Sequence, residues 1–369
     1  MTTRRHPRLL SLVAAMTEGR RDLRLAGLTE REVDWAVATG LGPVLHYATS
    51  EDPARERCPT WETVLSADLT ARIINGGQHA AMEEILDHCR SAAPITLLKG
   101  IAFASQIYPE PHLRTMRDID LLVAREDYAA VELALFELGY QQQQPQREGW
   151  YHEHHHHGPP LWHPETDNWI EVHWGLVPPA WPQSREPAFQ PATVADETLE
   201  VDFHGRQTSR LSCELQLLHL ASHWRTGQVV LGGMLTLIDA ALLLANPTLD
   251  WTKVVCWLDG PRSAIDLHFL ATFLGDRALA EFPEGISDQI RGSKPHPGSA
   301  HVRLLHRLID RHMVEGRKLR WPLSEAGFKR LWGELLQPNP AWRNYARLFK
   351  YLLPGAPSDP AVGKKDIPE

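Results

Sequence analysis

The sequence predicts an α+β protein: a small mixed sheet with helices over residues 93–177, flanked by helical N- and C-terminal regions. Three observations carry this reading. Residues 95–123 pass from an apolar run, Ile95–Leu98, through Lys99-Gly100 and a short amphipathic stretch into a second apolar run that opens on Asp118-Ile119-Asp120. Residues 169–174 (Trp-Ile-Glu-Val-His-Trp) alternate with the two-residue period of a strand. On either side of this module, apolar residues recur at helical spacing between capping residues.

The elements follow in order. Residues 1–92 read as helical. Thr29-Glu30-Arg31-Glu32 fits a capping box, in which a hydroxyl and a carboxylate each satisfy a backbone N–H at a helix start, and Val33, Trp35, Ala36 and Val37 follow as the helix body. A second helical stretch runs from Trp61 to Ala92, with a break expected at Gly76-Gly77. At Pro94 the pattern turns to strand 95–98, then helix 101–108, a loop through Pro109 and Pro111, strand 119–123, and helix 126–138 ending at Gly139. Two extended segments, 149–157 and 168–174, read as a hairpin around Pro159, Pro160 and Pro164. Residues 178–210 are proline-rich without periodicity and read as a linker. A helical C-terminal domain follows over 211–353, with helices near 211–225, 231–245, 251–258, 263–280, 299–314 and 323–336. The tail 354–369 reads as disordered.

Composition excludes several classes. Net charge is −8, from 38 basic and 46 acidic residues, which argues against bulk binding of nucleic acid, since phosphate contacts need clustered Lys and Arg. No apolar run approaches the roughly 20 residues needed to span a bilayer. Leu9–Met16 is apolar, but it is short and lacks a small-residue cleavage pattern. Cys58, Cys89, Cys213 and Cys256 are scattered without metal spacing and read as reduced thiols of a cytoplasmic protein.

The chemistry centres on Asp118 and Asp120. In a strand they project from one face about 7 Å apart, while Ile119 and Leu121 point the other way. Two carboxylates so held suit a hard divalent cation that keeps positions open for substrate phosphates. Burial of two like charges is unfavourable unless a cation compensates them; otherwise they are exposed edge aspartates. Glu171 and His173 share one face of the second strand, so Glu171 is the candidate third ligand or base. His173 positions a nucleophile, donates to a phosphate, or simply satisfies a hydrogen bond. Lys99, Arg114 and Arg117 flank the acids, as expected where metal meets anionic phosphates.

Taken together, Leu97-Leu98-Lys99-Gly100, Tyr108-Pro109, Arg114, Asp118-Ile119-Asp120-Leu121-Leu122-Val123 and Ile170-Glu171-Val172-His173-Trp174 resemble the bacterial uncharacterised nucleotidyltransferase family, within the DNA polymerase β-like nucleotidyltransferase superfamily. The resemblance covers most of 60–245 and is sharpest at 97–123 and 169–175. It implies a nucleotidyltransferase module whose mixed sheet bears two or three carboxylates, with two Mg²⁺ (or Mn²⁺) ions and a nucleoside triphosphate donor. Asp118 and Asp120, joined by Glu171, would be the metal ligands and catalytic groups, with His173 beside them. Lys99, Gly100, Arg114 and Arg117 would face the triphosphate. The turn carries Lys99-Gly100 where the superfamily usually has Gly-Ser.

In His152-Glu153-His154-His155-His156-His157 a strand puts alternate histidines on opposite faces, so the run reads as an exposed hairpin edge rather than a single chelate; the resemblance implies a polar or histidine residue near the site at this hairpin, which would be His157. His219 and His223 are four apart on one helix face, where core hydrogen bonding is the plainer role. Asp239 is a lone acid in an apolar helix that caps, pairs with an arginine, or lines an acceptor pocket. The reading is a metal-dependent transfer of a nucleoside monophosphate to a hydroxyl or phosphate of a small molecule or protein. The rivals are an Asp-x-Asp glycosyltransferase-like enzyme using a nucleotide sugar, disfavoured because only one strand precedes Asp118, and a non-catalytic nucleotidyltransferase-like partner or antitoxin.

Overall fold

The computed structural model describes residues 8–142, 155–224, 234–259, 261–283, 285–292, 302–303 and 305–306. The chain begins with helices α1 (Ser11–Glu18), α2 (Glu30–Ala38), α3 (Gly42–Ala48) and α4 (Trp61–Cys89). The capping box forms: the Thr29 hydroxyl accepts from the Glu32 backbone N–H, and the Glu32 carboxylate accepts from the Thr29 N–H at 2.8 Å. The break expected at Gly76-Gly77 is absent, and α4 runs unbroken for 29 residues. Each glycine costs a helix about 1 kcal/mol relative to alanine. Tertiary contact outweighs that cost, because Met82, Ile85 and Leu86 of α4 are fixed in the core beneath the sheet.

Seven strands make one mixed sheet: β1 (Thr96–Leu98), β2 (Ile119–Leu122), β3 (Gln141–Gln142), β4 (Leu161–Trp162), β5 (Trp169–His173), β6 (Thr198–Phe203) and β7 (Arg206–Leu211). Their order is β3-β4-β5-β2-β1-β7-β6. The pairs β5–β2 and β1–β7 are parallel, and the others are antiparallel. Between β1 and β2 lies α5 (Lys99–Gln106), and α6 (Tyr128–Glu137) follows β2. Gly139, at φ +96°, ends the latter turn, with the Tyr140 N–H reaching back to the Leu135 carbonyl.

Two readings of the sequence need correction. The hairpin partner of β5 among the described residues is β4, at 161–162, with Asp167 at φ 56° in the turn; residues 149–154 of the expected partner lie outside the described set. The second half of the expected linker is a β-hairpin, β6 and β7, turning at His204 (φ 53°) and Gly205 (φ 84°). The signal was present in Thr198-Leu-Glu-Val-Asp-Phe203 and His204-Gly205, behind a proline cluster that ends at Pro191.

A short helix, α7 (Pro191–Asp196), precedes that hairpin, and α8 (Cys213–His223), α9 (Leu235–Leu244), α10 (Trp251–Cys256), α11 (Pro261–Gly275) and α12 (Ile286–Gly292) follow it. Of the expected helix 299–314 only 302, 303, 305 and 306 are described, and these are helical; the expected helix 323–336 and the tail 354–369 lie outside the described residues. The two faces of the sheet go to two cores. Leu97, Ile119, Leu121, Ile170 and Val172 join Met82, Ile85, Ile101, Val131 and Leu135 in one. Leu98, Leu122 and Leu211 join a second, in which residues of α1–α3 pack with residues of α8, α9 and α11. Helices from both ends of the chain thus meet over the face opposite α4 and α6, with α1 lying against α9.

At Gly76 and Gly77 an added Cβ would meet nothing within 4 Å. Each Gly→Ala change is expected to stabilise the fold by about 0.5–1 kcal/mol, seen as a raised urea midpoint; a lowered midpoint would contradict an open, continuous α4.

Candidate functional site

β2 and β5 run parallel with Asp120 beside Glu171 and Leu122 beside His173. Because Ile119, Leu121, Ile170 and Val172 are drawn into the core below, strand alternation turns Asp120, Glu171 and His173 to the other face. One ligand atom from each of these three lies within 4.8 Å of the other two. His173 Nε2 stands 2.8 Å from Asp120 Oδ1 and 3.6 Å from Glu171 Oε2. Lys99 Nζ reaches the same Asp120 oxygen at 2.7 Å.

Lys99 gets there through an unusual backbone. It opens α5 directly after β1 at φ 46°, a left-handed conformation that costs a residue with a side chain about 1–2 kcal/mol. Gly100 follows in a tight place, since a Cβ there would come within 2.7 Å of Met116 Cγ. Its observed part is to admit Met116 against the helix start.

The charges are strongly coupled. Burial alone would raise the Asp120 carboxyl, but Lys99 and the hydrogen bond from His173 hold it well below the carboxylate range. Glu171 is likewise lowered: burial opposes ionisation most strongly, and His173, His157 and Lys99 together outweigh it. Asp118 shows the opposite. Just outside β2 and half-buried, it is pushed up to about 7, first by burial and then by the charges of Asp120 and Glu171. It stands within electrostatic reach of the pair without joining the tight three-atom set.

A belt of histidines adjoins the centre. The His156 ring lies 5.1 Å from the His173 ring, and both nitrogens of His156 are buried with no hydrogen-bond partner among the described residues. His157 bridges His173 across the strand edge, with rings 5.0 Å apart. His219 and His223 both turn Nε2 to the Leu176 carbonyl, at 2.9 and 3.4 Å. Burial, then neighbouring positive groups, lower His156 and His223 far below the usual imidazole value and His219 to about 3, so these rings are neutral. The histidine-run reading therefore needs amendment: His156 is buried beside His173 rather than exposed on an edge, while His152, Glu153 and His154 lie outside the described residues.

Arg114 and Arg117 part company. Arg117 is exposed and makes no ion pair among the described residues. Arg114 is tied down: its Nε donates to both oxygens of Asp239, at 2.8 and 3.0 Å, and Tyr108 donates its hydroxyl to the same carboxylate at 2.7 Å. Burial works against both charges of the pair; the Asp239 charge keeps Arg114 protonated, and Arg114 and Tyr108 restrain the rise of the Asp239 carboxyl. Arg114, Asp239, Lys99, His219, His223 and Trp224 help line one cavity of ≈ 70 Å³, together with leucines, Phe103, Gln216 and Thr236. Of the roles open to Asp239, it pairs with an arginine and lines this cavity.

With the acidic strands in place, a comparison becomes informative. A family model described as an uncharacterised nucleotidyltransferase matches residues 29–259. The chain belongs to that family. The match spans α2 through α10 and so takes in the whole sheet, the acidic centre and the cavity. No curated protein and no solved structure matches the chain. The described residues contain no helix long and apolar enough to cross a membrane.

The Arg114–Asp239–Tyr108 group yields a stability test. Asp239→Ala strands a buried guanidinium and is expected to cost about 3–5 kcal/mol. Tyr108→Phe removes one hydrogen bond of three and should cost about 1–3 kcal/mol. Chemical denaturation checks both, and an Asp239→Ala loss no larger than that of Tyr108→Phe would contradict the geometry.

Proposed function

We propose that the chain is a divalent-metal-dependent nucleotidyltransferase. In this reading it moves a nucleoside monophosphate from a nucleoside triphosphate, with ATP as one candidate donor, to a hydroxyl or phosphate of a small molecule or protein side chain. The observation that carries it is Asp120 and Glu171 abreast on neighbouring parallel strands, their ligand atoms and that of His173 within 4.8 Å, in a member of a nucleotidyltransferase family.

The donor set fits a cation. Three carboxylates crowd a half-buried site, and Asp118 is raised because the negative charge around it is incompletely compensated. Asp120, Glu171 and Asp118 would hold the ion, which when bound would neutralise charge on the donor phosphates. In the reaction an acceptor oxygen attacks the α-phosphorus, the bond from the α-phosphorus to the bridging oxygen breaks, and pyrophosphate leaves. The acceptor's proton passes to a carboxylate of the cluster. Lys99 lies on the acidic centre and on the cavity wall at once, so it can offset charge on the departing pyrophosphate. Arg114, oriented by Asp239 and Tyr108, presents a fixed guanidinium to the same cavity. The exposed Arg117 belongs to the rim in this reading. The cavity between β1, α8 and α9 is the place for the acceptor or the base of the donor.

The test is turnover of each α-labelled nucleoside triphosphate with Mg²⁺ or Mn²⁺, followed as pyrophosphate release. Asp120→Asn should lower the rate by about 10²-fold or more while leaving the circular dichroism spectrum unchanged. Equal rates in the variant and the wild type would exclude the mechanism. Turnover of a sugar nucleotide without pyrophosphate would put a glycosyl transferase in its place.

A further inference from the structure

We infer that His173 is itself a metal ligand, so that the centre selects a transition-metal divalent ion such as Mn²⁺ over Mg²⁺. This rests on the transferase reading and narrows its cofactor.

The spacing argues for it. Two ligand atoms each about 2.1 Å from one ion stand about 3.0 Å apart at a right angle and about 3.4 Å apart at a tetrahedral angle. His173 Nε2 is 2.8 Å from Asp120 Oδ1 and 3.6 Å from Glu171 Oε2, which brackets those values. All three residues stand on rigid strands in fixed register, so the set is held by the sheet rather than gathered from loops. Asp120 Oδ1 takes the hydrogen bonds from Lys99 and His173, whereas Oδ2 takes none among the described residues.

The chemistry of the donors points the same way. Mg²⁺ prefers carboxylate, carbonyl and water oxygens, whereas an imidazole nitrogen favours transition ions. The surroundings add a second, separate observation. His156 is buried against the His173 ring with both nitrogens unpartnered among the described residues, and so is the second nitrogen of His173, Nδ1. Buried polar groups left unsatisfied in this way are unfavourable. A metal-bound imidazole normally directs its other ring nitrogen to a neighbouring polar group, and the rings of His156 and His157 both pack against His173, at 5.1 and 5.0 Å.

The experiment uses the full chain with Mn²⁺ alone as probe. Calorimetry should show Mn²⁺ binding at least tenfold tighter than Mg²⁺. Pulsed electron paramagnetic resonance of the Mn²⁺ complex should show ¹⁴N coupling from a directly bound imidazole. The coupling should vanish in His173→Gln and persist in His156→Gln. The wild-type spectrum stands by itself should His173→Gln fail to fold. Mn²⁺ binding without nitrogen coupling, coupling that survives in His173→Gln, or equal affinity for the two ions would overturn the inference and leave the transferase reading intact, with His173 reduced to a hydrogen-bond donor to Asp120. If neither ion binds, with or without a nucleoside triphosphate, the transferase reading falls as well.

Discussion

Two carboxylates set side by side on adjacent parallel strands impose the constraint that the rest of the site answers. Asp120 and Glu171 occupy matched positions of β2 and β5. At the effective dielectric of a protein surface, two like charges about 4 Å apart repel by about 4 kcal/mol. The fold cannot relieve this by sliding a strand, because a one-residue shift would put Asp120 and Glu171 into the apolar core and turn Ile119, Leu121, Ile170 and Val172 outward. The charges must be met where they stand. Lys99 and His173 do this within the chain, and Lys99 adopts a left-handed backbone in the position that lets it.

The histidines nearby supply polarity without further positive charge. His156, His219 and His223 are held neutral by burial and by neighbouring positive groups, Lys99 among them. Among the described residues the centre sets three carboxylates around the Lys99 ammonium, with His173 hydrogen-bonded to Asp120 and 3.6 Å from Glu171. Asp118 registers the imbalance, since it is the carboxylate of the three with no ion pair among the described residues and the one whose ionisation is pushed up. An electrostatically unfinished site of this kind has a use for a cationic ligand.

Much of the site was legible because strand periodicity is local. Ile170-Glu171-Val172-His173 and Asp118-Ile119-Asp120 declare their faces from the residues alone, and the structure turns Glu171 and His173 together toward Asp120. The capping box at Thr29 was legible for the same reason. What escaped depends on contacts distant in sequence. Gly76-Gly77 reads as a helix break until the sheet is seen to hold the far turns of α4. The β6–β7 hairpin was hidden because β6 is an edge strand whose Leu199, Glu200 and Asp202 face solvent, giving little apolar signal after a run of prolines. His156 was lost in a run of like residues, where alternation shows that the rings diverge but not which of them the sheet covers.

Arg114 illustrates the limit most sharply, because its partner lies 125 residues away. Sequence proximity to Asp118 suggested a free cation for phosphate; the structure gives it a carboxylate from α9, itself held by Tyr108. A buried ion pair adds little net stability over an apolar replacement, since desolvation offsets most of the attraction. What the pair does settle is position. Arg114 precedes β2 while Asp239 sits in the helical body above the sheet, so their bond fixes the C-terminal helices against the strand that carries Asp120. The cavity between them takes its shape from that bond, with one wall belonging to the acidic sheet and the other to α8 and α9. A molecule seated there would touch both at once, and in the transferase proposed above that arrangement would let a helical body joined to this sheet set what the acidic centre acts upon.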